Sequence, residues 1–273
     1  MKKVILFSPT GYVGGFLKER IQKEEDIELA EIVRSSDLAG YEEDYDIMVY
    51  SASVSCAGVE QYIQDNVVTA LLMIKFCKEH NVKRIIYLSS DSIYGEINTD
   101  VISEKAIMVS PGTYGVTKYL AEKVIEESGI PYYILRLPGI VGRVWRKNFI
   151  YNLISEIKNN NDIALYNIDR KFNNLLDIDD LINFIICLCN NVSKDGKSEI
   201  FLLGNTKQVV LKEIVSYVKS FFQSTSVISN TDTNEKRYFT LDVTKAVEYG
   251  YSSKNIMTII GELCQMKRSY DLK

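Results

Sequence analysis

Residues 84–95 read RIIYLSSDSIYG, and the apolar first half of this stretch stops abruptly at small polar residues. A short apolar run with polar boundaries is typical of a buried strand, which would carry Ser90 at its carboxyl end. Residues 110–118 read SPGTYGVTK, where a proline and a glycine precede a helical pattern. We therefore predict a strand followed by a helix whose first turns carry Tyr114 and Lys118.

Tyr114 and Lys118 stand four residues apart, so they share one face of the predicted helix. A free phenol titrates at about 10 and is a poor acid or base at neutral pH. An ammonium nearby stabilises the phenolate, which moves the pKa of Tyr114 towards neutrality. With the hydroxyl of Ser90 to polarise the same oxygen, these groups predict proton transfer at a carbinol carbon while another group moves the hydride. A second pair of the same spacing, Tyr119 and Lys123, lies further around the helix and is predicted to be surface.

The amino terminus carries the pattern of a phosphate-binding turn. Residues 3–7 read KVILF, a short apolar strand, and residues 8–15 read SPTGYVGG before a helical pattern begins. Small residues in such a turn let the backbone approach a ligand, and the N-terminus of the helix favours an anion. A strand, a glycine turn and a helix in this order predict binding of a dinucleotide.

Together these patterns resemble the short-chain dehydrogenase/reductase superfamily, in its extended branch of sugar-nucleotide-modifying enzymes, the NAD-dependent epimerase/dehydratase family. The turn resembles the family's Gly-x-x-Gly-x-x-Gly motif, with Gly11 and Gly14 in the second and third places and Ser8 in the first. The resemblance covers the whole chain in outline. It implies three catalytic residues, Ser90, Tyr114 and Lys118.

Strands alternate with helical patterns along the chain, which predicts an α/β fold with a Rossmann-type, doubly wound parallel sheet. We assign residues 1–137 and 168–204 to this NAD(P)-binding domain. Residues 138–167 and 205–273 would form a small, mostly helical C-terminal lobe that binds the substrate. The link 35–45 is short and acidic, so we expect no full crossover helix there.

The resemblance also implies a set of cofactor contacts at the strand ends and on the neighbouring helices. They are Ser8, Thr10, Gly11, Tyr12, Val13, Arg34, Ser51, Ala52, Asn66, Leu88, Tyr114, Lys118 and Leu137. Val33 ends the second predicted strand, where an NAD site carries a carboxylate, and Arg34 follows it. Because a guanidinium matches a phosphate group, we predict NADP as the cofactor, with NAD as the alternative.

A nucleotide-linked sugar is the substrate that the resemblance implies. Its predicted contacts are Asp91, Ser92, Arg143, Arg170 and Arg237. Residues 137–143 (LPGIVGR) resemble the segment where the family's chain leaves the nucleotide domain, with Gly139 where an asparagine is frequent. Residues 170–180 (RKFNNLLDIDD) resemble a stretch whose arginine commonly touches a substrate phosphate and whose aspartates begin a helix.

The residues after Ser90 bear on the reaction. Family members that eliminate water carry an Asp-Glu pair there. In this chain Asp91 is followed by Ser92, so the carboxylate base is missing. We therefore predict that the protein does not catalyse dehydration. Reduction of a keto sugar and redox-neutral C4 epimerisation both need only the hydride, Ser90 and Tyr114. We favour reduction, because Arg34 suggests NADP. The alternatives are the epimerase, a reductase of small ketones or aldehydes, an NADP-binding regulator without turnover, and a structural subunit that holds a dinucleotide.

Composition bears on partners and location. The 273 residues carry a net charge of -4, which gives no reason to expect nucleic acid or an anionic membrane as a partner. No signal peptide or membrane-spanning apolar run is recognisable. The five cysteines show neither metal-binding nor disulfide spacing, so we predict a cytoplasmic protein without a metal site.

The predicted helix Glu60–Glu79 is apolar on more than one face, as expected of a helix that is buried on two sides. One side would meet the sheet, and the other would be exposed in a monomer. We therefore predict a homodimer that packs through this helix and the helix Tyr114–Ser128.

Overall fold

The structure is a computed structural model that describes residues 1–33, 38–41, 44–52, 57–191, 196–233 and 239–270, with only the backbone of Ala39. Arg34 and Arg237, two of the predicted site residues, lie outside these ranges. Within the ranges, none of the helices combines the length and the apolar character that a membrane span requires.

The strands follow one another along the whole chain. In chain order they are β1 (Lys2–Phe7), β2 (Ile27–Ile32), β3 (Ile47–Tyr50), β4 (Arg84–Ser90), β5 (Val101–Ile102), β6 (Tyr132–Leu137), β7 (Gly139–Val141), β8 (Ile163–Tyr166), β9 (Lys171–Phe172), β10 (Leu175–Asp177), β11 (Glu199–Leu202), β12 (Val209–Val210), β13 (Ile228–Thr231) and β14 (Thr240–Leu241).

Helices separate most of the longer strands. They are α1 (Tyr12–Ile21), α2 (Val59–Tyr62), α3 (Thr69–Glu79), α4 (Thr113–Glu126), α5 (Phe149–Lys158), α6 (Ile178–Asn190), α7 (Leu211–Phe222), α8 (Thr244–Glu248) and α9 (Ile256–Tyr270). A π-helical segment, Ile63–Val68, joins α2 to α3, so the predicted helix Glu60–Glu79 exists as one continuous helical stretch. A 3₁₀ turn, Asp91–Tyr94, follows β4 directly, and we call it the serine turn.

Among the described residues, six strands form one parallel sheet in the order β2-β1-β3-β4-β6-β11. This is the predicted Rossmann-type, doubly wound α/β fold. Every residue of β4 is buried, as expected of a parallel strand that is covered on both faces. The chain leaves β1 towards β2 on one side and returns to β3 on the other. The carboxyl ends of β1 and β3 therefore flank the crevice in which such sheets bind ligands.

The connection from β2 to β3 is reduced, as the short acidic link predicts. In its described part, residues 38–41 and 44–46, it forms a single 3₁₀ turn, Leu38–Gly40. An α-helix of three turns needs about eleven residues, and the link has no room for one beside its turns.

The chain divides into two compact units. The first comprises Met1–Glu96, Ala106–Leu137 and Ile182–Leu202, and it contains the six-stranded sheet. The second comprises Ile97–Lys105, Pro138–Leu181 and Leu203–Lys273, and its apolar core is built largely from α5, α7 and α9. Residues 168–181, which the sequence analysis assigned to the nucleotide domain, belong to the second unit, because β10 pairs with β7 there.

Candidate active site

The turn between β1 and α1 is tightly packed at its third glycine place. A Cβ at Gly14 would lie 2.0 Å from Ser8 O and 3.0 Å from Ser51 Oγ, so no side chain fits. Ser51 follows β3 and donates from Oγ to Phe7 O at 2.8 Å. The absence of a side chain at Gly14 thus lets the start of α1 approach the carboxyl ends of both β1 and β3. A helix N-terminus in this crevice presents N–H groups that can bind a phosphate.

Ser8 occupies the first glycine place in the conformation that a glycine would supply. Its φ is 68°, in the left-handed region, which costs a residue with a Cβ about 1–2 kcal/mol. The tight turn of the family motif is therefore kept with a serine, and Gly11 N donates back to Ser8 O at 3.2 Å.

We expect Ser8→Gly to raise the free energy of unfolding by about 1 kcal/mol, because relief of the left-handed backbone outweighs the extra entropy of an unfolded glycine. Chemical denaturation of the two proteins measures the difference. Gly129→Ser is the reverse control: Gly129 has a φ of 80° and nothing within 4 Å of its Cβ position, so a serine there should lower the free energy of unfolding by a similar amount. An unchanged or lowered midpoint in Ser8→Gly would contradict the assignment of strain to this turn.

Ser90 ends β4 and caps the serine turn. Its Oγ accepts from Ser92 N at 3.1 Å and lies 3.1 Å from Ser92 Oγ and 3.4 Å from Asp91 Oδ1, towards which it donates. Burial raises the pKa of Asp91 to about 7, although the hydrogen bonds from Ser90 and from Ser92 N oppose the rise. Ser90, the predicted catalytic serine, is thus hydrogen-bonded to Asp91 and Ser92, two of the predicted substrate contacts.

Helix α4 packs on β4 and on the serine turn. The approach is close at Gly115, where a Cβ would lie 2.2 Å from Ser92 O. Tyr114 precedes this glycine, and its ring lies against Tyr62 of α2 with 5.5 Å between the ring centroids. Gly115 therefore determines how near the catalytic candidates on α4 come to the turn that begins at Ser90.

Lys118 lies one turn after Tyr114 on α4, and its side chain is fully buried. Its Nζ donates to Leu88 O at 2.6 Å and lies 4.3 Å from the centre of the Tyr87 ring. Burial lowers the pKa of Lys118 to about 7, and the carboxylate of Glu122 opposes this decrease. The ammonium is thus held in one position by β4, the strand that also delivers Ser90.

Asn66 connects the π segment to α4. Its Nδ2 donates to Thr117 Oγ1 at 3.0 Å, and Thr117 Oγ1 donates to Tyr114 O at 3.0 Å. π-Helical segments often mark functional sites, because their extra residue shifts side chains out of helical register. The cofactor residue predicted at Asn66 therefore lies on an element that is tied to the turn of α4 that carries Tyr114.

A buried polar cluster behind Lys118 was missed by the sequence analysis. Glu122 accepts hydrogen bonds from Ser89 Oγ and from Arg136, at 3.2 Å from Nε and 2.8 Å from the terminal nitrogen. Arg136 also donates to Tyr94 Oη at 2.9 Å. One signal was available, since an arginine inside the apolar strand 132–137 must be paired if that strand is buried.

The predicted site residues divide between the two units. Ser8, Thr10, Gly11, Tyr12, Val13, Ser51, Ala52, Asn66, Leu88, Ser90, Asp91, Ser92, Tyr114, Lys118 and Leu137 all lie in the first unit. Arg143 and Arg170 lie in the second, where Arg143 forms an ion pair with Asp179 at 2.6 Å. That aspartate is in the first turn of α6, where a negative charge complements the helix dipole.

Comparison with known proteins finds related sequences and folds. UDP-glucose 4-epimerase of Halalkalibacterium halodurans is 25% identical over 196 residues, which are 62% of this chain and 59% of that protein. This and two further curated relatives are matched over 50% to 63% of their length, so the chain spans less than two thirds of these proteins.

Solved structures share the fold over nearly the whole chain. UDP-glucuronic acid 4-epimerase from Bacillus cereus, in complex with NAD, superposes with a TM-score of 0.80 at 17% identity and covers 97% of this chain and 99% of its own. The UDP-Glc/GlcNAc 4-epimerase from Campylobacter jejuni gives a TM-score of 0.79 at 17% identity, with 98% and 100% covered.

A sequence profile identifies the family. The sequence profile described as "NAD dependent epimerase/dehydratase family" matches residues 18–204, from α1 through the last strand of the sheet. This stretch is more than half of the chain and includes Ser90, Tyr114 and Lys118. As the resemblance predicted, the chain belongs to the NAD-dependent epimerase/dehydratase family, within the extended short-chain dehydrogenase/reductase superfamily.

Proposed function

We propose that this protein is a C4 epimerase of a nucleotide-linked sugar, with NAD as a cofactor that is regenerated in each turnover. The observation that carries the proposal is the assembly of Ser90, Tyr114 and Lys118 by β4 and α4 in a chain of this family. Relatives and structural neighbours named as 4-epimerases of UDP-sugars support it.

The residues of the first unit fit a dinucleotide. The close packing at Gly14 brings the N-terminus of α1 to the carboxyl ends of β1 and β3, and Gly11 adds no side chain at that N-terminus. We propose that Ser8 and Ser51 contact the phosphates from the two strand ends. When bound, NAD supplies the site that accepts a hydride from a sugar carbon and returns it.

The three catalytic candidates would have different roles at the C4 hydroxyl of the sugar. Tyr114 as phenolate takes the hydroxyl proton while C4 becomes a ketone, and Ser90 donates a hydrogen bond to the same oxygen. After the keto sugar has turned over, Tyr114 returns the proton to the oxygen as C4 is reduced on its other face. Lys118 stabilises the phenolate through its positive charge.

Epimerisation is preferred here over the net reduction that the sequence analysis favoured. That preference was based on Arg34 as a sign of NADP, and Arg34 lies outside the described residues. Both reactions use the same three side chains, so the relatives named as 4-epimerases become the stronger argument. Ser92 remains an argument against dehydration, because its hydroxyl engages Ser90 and offers no carboxylate base.

The test of the proposed function is stoichiometry. The purified protein, supplied with catalytic NAD, is incubated with UDP-glucose, UDP-glucuronic acid or UDP-N-acetylglucosamine, and the sugar is analysed by NMR. We expect inversion at C4 with no net change in the absorbance of reduced cofactor. Consumption of one reduced cofactor per product, with a 4-keto sugar nucleotide as substrate, would instead identify a reductase.

Cofactor preference is a separate prediction. We expect NAD to bind more tightly than NADP, in line with the family's cofactor, and calorimetric titration of both cofactors decides it. Tighter binding of NADP, with that advantage lost in Arg34→Ala, would contradict this expectation and support the sequence-based prediction of NADP. Val33→Asp would add a carboxylate at the end of β2 and should strengthen any preference for NAD.

We also propose a homodimer, supported by an apolar surface on the joined helix α2–α3 and on α4, which pack side by side. Large apolar side chains on this surface are 45% to 54% exposed: Val59, Ile63, Leu71, Leu72, Val116 and Leu120. A monomer would leave them in water, whereas a second copy could bury them.

We expect light scattering to give the mass of a dimer for the wild type and the mass of a monomer for the double variant Leu71→Glu/Leu120→Glu. Val227→Glu, at a residue 62% exposed in the second unit, is the control that should remain dimeric.

A further inference from the structure

The buried cluster behind Lys118 suggests a role that the three catalytic candidates do not explain. Glu122 follows Lys118 by one turn of α4 and is completely buried. Residues four apart on a helix face the same side, and the carboxylate of Glu122 acts electrostatically on the ammonium of Lys118. A lysine in this surrounding loses its proton easily, because burial lowers its pKa to about 7.

Glu122 is held by donors from two neighbouring strands. Ser89 on β4 and Arg136 on β6 are register partners in the sheet, and both donate to its carboxylate. Arg136 also donates a hydrogen bond to Tyr94 at the end of the serine turn. An arginine and a hydroxyl thus hold this buried carboxylate in one position, on the face of α4 that carries Lys118.

We propose that Glu122 is a positioning residue that acts through Lys118: its fixed charge keeps the buried lysine protonated, and Ser89 and Arg136 hold the carboxylate in place for this purpose. The proposal rests on the proposed function, in which Lys118 must be an ammonium to stabilise the phenolate of Tyr114. The proposal gives a function to the buried ion pair of Glu122 and Arg136. Stability alone is a weak reason for such a pair, since buried ion pairs contribute little net stability.

Other titratable or charged groups lie on α4 itself and on the elements packed against it. They are Asp65 on the π segment, Tyr87 on β4, Asp91 and Tyr94 on the serine turn, Arg136 on β6 and Tyr114 on α4 itself. Burial raises the pKa of Tyr87 well above its ordinary value, so its phenol stays neutral. Asp91 can titrate in the neutral range, and a kinetic test must therefore separate it from Lys118.

The first experiment is the pH profile of kcat in the wild type and in Glu122→Gln. A carboxylate raises the pKa of a neighbouring ammonium, so its removal should lower the pKa of Lys118. The alkaline limb, on which Lys118 loses its proton, should move to lower pH by about one unit or more. Asp91→Asn tests the competing assignment, because it should leave the position of this limb unchanged whatever its effect on the rate.

Matched variants separate charge from packing. Glu127→Gln removes a carboxylate from the exposed end of the same helix and should leave the limb in place. Glu122→Asp keeps the charge and should retain the wild-type limb even if the rate falls. Because Glu122→Gln leaves Arg136 as an uncompensated buried cation, the double variant Glu122→Gln/Arg136→Gln provides a neutral pair, and its limb should also move to lower pH.

A second readout does not need turnover. The ultraviolet difference between each background and its Tyr114→Phe counterpart reports the phenolate of Tyr114, whose appearance should shift to higher pH in Glu122→Gln. If the wild type converts no UDP-sugar but this shift is present, the proposed function fails and the role of Glu122 stands. A parallel loss of activity at every pH with no shift in either readout would overturn the role. So would failure of both Glu122 variants to fold, since the carboxylate would then serve stability.

Discussion

We expect Tyr114→Phe to lower kcat for C4 epimerisation by about a thousandfold, the middle of the range attributed to a positioned acid or base. The substitution removes only the phenolic oxygen and keeps the ring that lies against Tyr62. NAD affinity and the unfolding midpoint should therefore remain close to those of the wild type. Turnover with UDP-sugar, calorimetric titration of NAD and chemical denaturation measure the three quantities on the same preparation.

Tyr119→Phe is the matched control for this prediction. Tyr119 lies on the same helix with a lysine four residues later, and the Nζ of Lys123 lies 5.1 Å from the centre of its ring. Lys123 also pairs with Glu126 on the helix surface. We expect Tyr119→Phe to keep nearly full activity. The assignment of the proton carrier would be wrong if Tyr114→Phe stayed active, and Tyr119 would then be the residue to examine.

We expect Gly115→Ala to destabilise the protein by about 3 kcal/mol, at the upper end of the usual cost of overpacking. The added Cβ would lie 2.2 Å from the carbonyl oxygen of Ser92, and backbone on both sides must move to admit it. Because this contact holds α4 on the serine turn, the rate should fall as well. Denaturation curves give the loss of stability, and kcat at saturating substrate gives the loss of rate.

Gly112→Ala provides the comparison for that variant. Gly112 caps the same helix three residues earlier, and a Cβ there would meet nothing within 4 Å. Loss of a glycine at the N-cap costs at most about 1 kcal/mol. A similar effect of both substitutions would mean that the close approach at Gly115 is unimportant and that helix propensity explains the change.

What the sequence determined by itself is local in character. The apolar run of β4, the glycine turn after β1 and the Tyr-x-x-x-Lys spacing are patterns within a few residues, and periodicity translates them directly into strand, turn and helix face. The order of these elements then limits the sheet to a doubly wound one. For this reason the fold and the family were predicted correctly, and Ser90, Tyr114 and Lys118 could be predicted as one group of catalytic residues.

Only the tertiary structure decided what surrounds that group. Glu122 meets Ser89 and Arg136 across sequence separations of 33 and 14 residues, and no short pattern announces such a contact. The left-handed Ser8 and the close approach at Gly115 likewise depend on which backbones the sheet brings together. Burial of Lys118 belongs here too, because solvent exposure is a property of the packed chain, and it is burial that makes the charge of its neighbour matter.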